Sequence, residues 1–250
     1  MHTASRAGAL LALALTTSSL PSITRAGPAD YVVTPIVEEG EREIDVKAGS
    51  AKSRDGSRES AYSVGFGWGA TSWWFTEIYA KSHKEPGAAH AFDAWEWENK
   101  FQLTETGKYP VDIGLLLEIE RPKDRSEGYE YRWGPLLQAD LGSSVQANLN
   151  FLIEKHIRNA EAAKATLGYQ WQVKYRWHPG FEFGFQGFGD VGPWNEWKPS
   201  SEQSHIAGPA IFGRVHVAER QAVRYNAGLL FGLNNGSPRN TVRVQAEYEF

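Results

Sequence analysis

The chain of 250 residues contains no cysteine and only one methionine. Without cysteine, neither a disulfide framework nor a thiolate metal site can form, so the fold must be held by its core or by closed strand pairing. Beyond the N-terminal region, no stretch approaches the ~20 continuous apolar residues of a membrane helix. Hydropathy alone therefore indicates a soluble protein. The aromatic residues point elsewhere, because 10 Trp, 10 Tyr and 12 Phe are many for this length.

Residues 1–26 have the features of a secretory signal peptide. Arg6 precedes the apolar run Ala9–Leu15, and Thr24-Arg25-Ala26 has the small-x-small form of a cleavage site. The apolar run is too short to span a bilayer comfortably, which disfavours an uncleaved anchor. We therefore predict export and cleavage near Ala26.

The last stretch, Asn240–Phe250, alternates strictly between apolar and polar residues. Val242, Val244 and Ala246 are separated by Arg243 and Gln245, and the pattern continues to the terminal Phe250. A period of two places the two sets on opposite faces of one strand. A membrane barrel would turn the apolar face to lipid, whereas a soluble sheet would turn it to the core. One strand does not separate these two interpretations.

The same alternation recurs along the chain. Including the last stretch, we find twelve segments, at about 41–51, 60–70, 73–82, 91–103, 110–120, 129–141, 145–156, 165–177, 180–189, 205–217, 223–233 and 240–250. Segments of this length and an even strand count are typical of outer-membrane barrels. The sequence predicts an all-β fold, a closed antiparallel transmembrane β-barrel of about twelve strands over 41–250. A soluble periplasmic β-sandwich or lipocalin-like binder is the alternative.

The connections between these segments alternate in length. Taking the first as outward, the outward connections are generally longer than the inward ones, as in outer-membrane barrels whose termini lie in the periplasm. Residues 27–40 contain Pro28 and Pro35 and have no clear period, so we predict a periplasmic lead-in there. Trp194 and Trp197 occupy the longest outward connection, and their bulk suggests that they fold into the mouth of the barrel.

The polar faces of the predicted strands separate by charge sign. One wall is mostly acidic and the other mostly basic, and the predicted lumen-lining residues include Glu77, Glu96, Glu98, Glu118, Glu120, Arg132, Lys174, Arg176, Arg214, Arg224 and Arg243. Twelve strands lie between an eight-stranded barrel filled by side chains and an open sixteen-stranded porin. Two functions follow: a narrow channel for passive passage of a small solute, or a non-conducting structural or ligand-binding barrel closed by an internal salt-bridge network.

Enzymatic and metal sites are not predicted. His205 is the only histidine placed near the outward rim, and no lipid-facing serine accompanies it in the predicted register. His156 and His216 fall on strands that are not adjacent, so they do not form a metal pair. No cofactor motif or nucleic-acid-binding pattern is present. Basic residues of the outward connections, among them Lys52, Arg54 and Arg58, are either solvated loop charges or contacts for lipopolysaccharide phosphates.

The signal peptide, the alternating strands and the terminal Phe250 together resemble Gram-negative outer-membrane β-barrel proteins, which are porin-like in architecture. The run Val242–Phe250 matches the pattern that this family offers to the barrel-assembly machinery, so the resemblance implies that machinery as a partner, beside outer-membrane lipid. Gly208-Pro209 and the run Leu229–Asn234 are also similar to transporter-like barrels grouped with phenol-degradation (MetA-pathway) proteins. That second resemblance implies no catalytic or binding residues.

Overall fold

A computed structural model describes residues 27–159 and 163–250. The predicted signal peptide, residues 1–26, lies outside the described residues. Within them, no helix is long and apolar enough to cross a membrane. Strands dominate the chain, and a single turn of 3₁₀ helix, Arg125–Glu127, lies between the fifth and sixth of them.

Twelve strands follow one another along the chain. They are β1 (Arg42–Lys52), β2 (Arg58–Thr71), β3 (Trp74–Lys84), β4 (Ala91–Gln102), β5 (Asp112–Pro122), β6 (Tyr129–Leu141), β7 (Val145–Ile157), β8 (Thr166–His178), β9 (Phe181–Pro193), β10 (Ser204–Ala218), β11 (Gln221–Gly232) and β12 (Asn240–Glu249). The predicted boundaries agree to within two residues, except that β9 extends to Pro193.

The sheet closes on itself. Each strand pairs antiparallel with its sequence neighbours, and β1 pairs with β12 from Glu43↔Glu249 to Lys52↔Asn240. The backbone amide of Phe250 also donates to the Arg42 carbonyl oxygen at 2.9 Å. Because closure leaves no unpaired strand edge, every strand gains a partner on both sides. The predicted closed twelve-stranded barrel is confirmed.

The two ends of the barrel differ in their connections. One end, here called the turn end, carries residues 72–73, 103–111, 142–144, 179–180 and 219–220. The other, the loop end, carries 53–57, 85–90, 123–128, 158–159 with 163–165, 194–203 and 233–239. Only 103–111 breaks the predicted rule of short connections at the turn end. β1 begins and β12 ends at the turn end, so both termini of the sheet share one end.

Apolar side chains cover the outside of the barrel. On β1, Ile44 and Val46 are 42% and 44% exposed, whereas Asp45 and Lys47 between them are 1% and 4% exposed. The other strands repeat this alternation, with Phe66 and Val244 outside and Arg243 inside. A soluble sandwich or lipocalin would place these apolar residues inside, so both alternatives are excluded. The arrangement is the one that membrane barrels require.

Tryptophans cover the polar groups that lie on this outer surface. Asn99 faces outward on β4 but is only 2% exposed, because the indole Nε1 of Trp74 donates to its Oδ1 at 3.0 Å. Trp97 Nε1 donates in the same way to the Thr76 hydroxyl at 2.8 Å. Each indole satisfies a polar atom that would otherwise face hydrocarbon, which is costly. A polar residue on this face therefore does not break the strand pattern.

The outer surface supplies a first prediction. Val64 lies near the middle of β2 and is 49% exposed. We expect Val64→Arg to lower the free energy of unfolding in lipid vesicles by about 2–4 kcal/mol, since it places a charge at mid-depth in the bilayer. Urea titration followed by tryptophan fluorescence measures this. Ala89→Arg, in an exposed loop, is the control and should change little. Equal stability of the two variants would contradict a lipid-facing Val64.

Candidate functional site

All eleven predicted lumen-lining residues lie on the inner face of the barrel. They alternate with the outward apolar residues, and most are buried or half-buried. β1 adds an inward set that the sequence analysis did not include. Glu43, Asp45 and Lys47 are each less than 8% exposed; Lys47 pairs with Asp45, which also accepts a hydrogen bond from Tyr79 of β3. The sequence signal for them was present, because the segment 41–51 was predicted as a strand and these residues alternate along it.

Ion pairs at the loop end join acidic and basic residues of the acidic wall itself. Lys81 Nζ lies 2.8 Å from Glu96 Oε2 and also contacts Glu120. Arg132 binds Glu118 through its Nε atom. The cations on this wall are therefore surrounded by carboxylates of the adjacent strands.

The basic wall pairs in the same way at the turn end. Lys174 Nζ lies 2.9 Å from Glu182, and Arg176 forms two hydrogen bonds with Asp140 at 2.9 and 3.1 Å. Arg224 also forms an ion pair at this end, with Glu41, which lies just before β1. Burial raises the pKa of Glu41, and the Arg224 guanidinium opposes that rise.

These ion pairs run along the wall and do not cross the lumen. Among the described residues, every inner-face pair between strands joins strands that are neighbours or next neighbours, such as Arg214 on β10 with Glu249 on β12 at 2.6 Å. Salt bridges between the acidic and basic walls are thus not what narrows the barrel. The observed ion pairs between strands therefore do not close the lumen, as the predicted internal salt-bridge network would.

The interior is instead crossed by residues 27–41, here called the luminal segment. The sequence predicts a periplasmic lead-in at 27–40, and the structure places these residues inside the barrel instead. Val32, Val33 and Val37 are each less than 9% exposed because the barrel wall surrounds them. The segment runs from Pro28, in the loop-end half near Gly49, to Glu38, beside Gly69 at the turn end.

Glycines on the inner wall make room for the luminal segment. A Cβ at Gly49 would overlap the Pro28 carbonyl oxygen, and a Cβ at Gly69 would overlap the Glu38 carbonyl oxygen. At Gly114, an added Cβ would lie 2.8 Å from Cβ of Pro35. Close backbone approach of this kind is what glycine permits.

Two apolar clusters fasten the middle of the segment to both sides of the lumen. Val32 packs with Phe188, Ile206 and Leu230 of β9–β11. The next residue, Val33, packs against three inward-facing leucines, one on each of β5, β6 and β7: Leu116, Leu136 and Leu152. Successive residues of an extended chain point in opposite directions, so one dipeptide reaches both walls. Burying each valine contributes about 1.5–3 kcal/mol.

Side-chain amides bind the backbone of the same dipeptide. Asn150 Nδ2 donates to the Val33 carbonyl oxygen at 2.9 Å, and the Val33 amide donates to Gln170 Oε1 at 3.4 Å. Further along, the Val37 amide donates to Gln102 Oε1 at 2.7 Å. A chain without a strand partner must satisfy its buried backbone groups in some other way, and these amides do so.

Tyr31 separates two cavities. Its hydroxyl donates to Glu98 Oε2 at 2.8 Å, and the Lys47 ammonium lies 3.5 Å from its ring centroid and 3.7 Å from that of Tyr79. Towards the turn end lies a cavity of about 500 Å³, and towards the loop end lies one of about 270 Å³. Tyr31 lines both, so it stands at the boundary between them.

The turn-end cavity has both charged and neutral polar walls. Lys174, Arg214 and Arg224 line its basic side, and Glu77 and Glu98 line its acidic side. Between these sides runs a series of amides in which Gln186 donates to Gln172, Gln172 to Asn148 and Asn148 to Gln138, at 2.9, 3.2 and 3.0 Å. The cavity therefore offers hydrogen-bond donors and acceptors as well as charges.

Comparison with known proteins places the fold. The chain matches no protein-family model, and no curated protein is significantly similar to it in sequence. Among solved structures, an outer-membrane channel from Pseudomonas putida F1 superposes with a TM-score of 0.62 at 10% identity, over 88% of this chain and 99% of that one. This chain has the fold of an outer-membrane channel.

Two porins are also similar. The NanC porin gives a TM-score of 0.53 at 12% identity, over 83% of this chain and 98% of its own. The KdgM porin, solved in complex with a disordered oligogalacturonate, gives 0.54 at 9% identity, over 83% and 99%. The predicted resemblance to outer-membrane barrels is confirmed at the level of fold. The resemblance to phenol-degradation-type barrels stays a prediction.

The histidine at the rim does not face a serine hydroxyl. Tyr169 Oη lies 2.8 Å from His205 Nδ1, and Gln203 Oε1 lies 2.7 Å from Nε2, so both ring nitrogens have partners. Ser237 hydrogen-bonds the backbone of His205 rather than its ring. Trp194 and Trp197 are 55% and 63% exposed, so they do not fold into the mouth as predicted. The luminal segment, rather than these tryptophans, fills the interior of the barrel.

Proposed function

We propose that this protein is an outer-membrane channel for the passive passage of a small polar solute through a charged lumen, with its turn end in the periplasm. One observation carries the proposal: two cavities lie end to end along the barrel axis, and a non-covalently held segment separates them at Tyr31. Conduction requires solute sites that are favourable enough to enter and weak enough to leave. Cavities lined by mixed charges and amides suit that requirement.

Ion selectivity tests the lumen directly. Arg214 lines the turn-end cavity, whereas Arg42 is exposed on the outer face of β1 at the same end. We expect Arg214→Gln to raise the cation-to-anion permeability ratio about twofold, since it removes a lumen cation beside Glu249. Arg42→Gln, the matched control, should leave the ratio unchanged. Reversal potentials in planar bilayers under a potassium chloride gradient measure both.

Two results would count against the channel. Equal shifts for Arg214→Gln and Arg42→Gln would mean that the inner face does not line the conducting path. Silence of both the wild-type barrel and a variant that lacks the luminal segment would mean that the barrel does not conduct at all.

A non-conducting barrel is the second candidate, and the two apolar clusters favour it. Val32 and Val33 attach the luminal segment to opposite walls, as a permanent plug would be attached. On this proposal the barrel holds a ligand in the turn-end cavity and passes nothing. Wild-type silence combined with step currents in the segment-deleted variant would support it.

We also propose two partners. Lys52 and Arg58, at the ends of β1 and β2, and Arg54 in the loop between these strands lie at the loop end, where lipopolysaccharide phosphates are found if the turn end is periplasmic. The alternating β12, which pairs with β1 to close the sheet, would be offered to the barrel-assembly machinery before closure. Both proposals follow from the outer-membrane placement and depend on it.

A further inference from the structure

Three potential metal ligands meet on the inner face at the loop end. Glu130 of β6 lies directly opposite His156 of β7, and Glu154 lies two residues before His156 on the same face. His156 Nε2 is 3.4 Å from Glu130 Oε2 and 3.5 Å from Glu154 Oε1. All three ligand atoms lie within 4.8 Å of one another.

These distances suit a tetrahedral ion. Two ligand atoms bound ~2.1 Å from a tetrahedral zinc ion lie about 3.4 Å apart, close to the two spacings of the His156 nitrogen. They are too long for strong hydrogen bonds between imidazole and carboxylate. The Glu154 Oε1 atom is buried, and its contact with His156 Nε2, at 3.5 Å, is not a well-formed hydrogen bond. A cation between the three groups would satisfy that oxygen.

The neighbouring cations Lys81 and Arg132 form their direct ion pairs with carboxylates other than Glu130 and Glu154. Lys81 is held by Glu96 and Glu120, and Arg132 is held by Glu118 and Asp30. Within the described residues, the acidic wall at this end therefore has more carboxylates than ammonium and guanidinium groups. A half-buried excess of negative charge is costly unless a cation joins it.

Space for a further ligand adjoins the cluster. Glu154 lines a cavity of about 40 Å³, which also contacts Thr166 and Asp190. A volume of that size accepts a water molecule. Three protein ligands and one water form a common zinc coordination sphere.

The geometry points to a binding site for one zinc-type divalent cation formed by Glu130, Glu154 and His156. Two carboxylate oxygens and one imidazole nitrogen are ligands that zinc accepts, whereas calcium prefers six or more oxygens. The two strands already place the ligands through their register, so binding requires only small side-chain movements. The inference stands apart from conduction, because it needs the folded barrel but no open pore.

Zinc titration of the mature barrel in detergent tests the site. Calorimetry with zinc chloride is expected to show one equivalent bound. His156→Ala and Glu154→Gln should each weaken binding at least about tenfold, since each removes a metal ligand. His216→Ala, an exposed histidine on β10, is the matched control and should retain full affinity. Heat-modifiable mobility in a detergent gel shows that each variant is folded.

Cobalt gives a second readout that does not depend on affinity. Cobalt(II) bound to the wild-type barrel should show the intense visible absorption of tetrahedral coordination, and His156→Ala should lose it. The inference is overturned if the folded wild-type barrel binds no zinc. It is also overturned if the His156→Ala and His216→Ala variants bind zinc equally well, because the ion would then lie elsewhere.

Discussion

Deletion of residues 28–38 is expected to raise the single-channel conductance about tenfold, because it removes the segment that separates the two cavities at Tyr31. The strands do not need the segment for closure, since β1 begins at Arg42 and pairs with β12 from Glu43 onward. The deletion also removes the burial of Val32 and Val33, so the barrel should unfold at a lower urea concentration while remaining folded without denaturant.

Two comparisons sharpen this experiment. A variant in which residues 28–38 are replaced by a Gly/Ser sequence of equal length keeps the chain but loses the wall contacts, and it should give noisy currents of intermediate size. Trp194→Ala combined with Trp197→Ala is the control, because these exposed residues line neither cavity. An unchanged conductance in the folded deletion variant would refute the assignment of the luminal segment as the constriction.

Arg132→Met is expected to lower the free energy of unfolding by about 3–5 kcal/mol, since it leaves a buried carboxylate without its cation. Glu118 is 3% exposed, and its Oε1 atom has no hydrogen-bond partner even with the arginine in place. Asp30, on the luminal segment, loses its contact with Arg132 Nη1 at 3.4 Å in the same variant. The substitution should therefore destabilise the luminal segment as well as the barrel wall.

The double variant Arg132→Met, Glu118→Leu separates the ion pair from packing. Replacing both partners by apolar residues of similar volume is often close to neutral, so most of the lost stability should return. Arg125→Met, in the exposed 3₁₀ turn, controls for the loss of an arginine. Urea unfolding in vesicles measures all three. A double variant no more stable than Arg132→Met would show that the pair is not the source of the loss.

The strands and their faces were predictable because both depend on local pattern. A period of two persists through each strand, so a polar residue on the outward face, such as Asn99, does not change the faces of its neighbours. The even strand count and the alternating lengths of the connections then favoured a closed barrel. The same logic placed residues such as Glu118 and Arg214 on the inner face without any coordinates.

The luminal segment could not be found in this way. Residues 27–41 have no period, and the groups that hold Val33 are far away in sequence, at Asn150 and Gln170. Their amides bind backbone atoms, so the identity of the side chains in the segment says little about where it lies. Only the inner glycines, such as Gly49 and Gly114, hint that another chain passes close to the wall.

The ion-pair partners of the charged residues could not be predicted from the sequence either. Sorting charges by strand predicted two walls of opposite sign, but it did not show that Lys81 stays within the acidic wall or that His156 meets two glutamates. Pairing depends on strand order around the closed sheet and on the position of each residue along the barrel axis. The sequence was considered only for a pair of histidines, whereas the cluster in the structure combines one histidine with two glutamates.

The sequence alone determined twelve alternating strands, each with one apolar and one polar face, because alternation along a strand is a local property that each strand carries by itself. The tertiary structure decided what fills the interior, because the path of residues 27–41 and the pairing of the charges depend on groups that only closure of the sheet brings together.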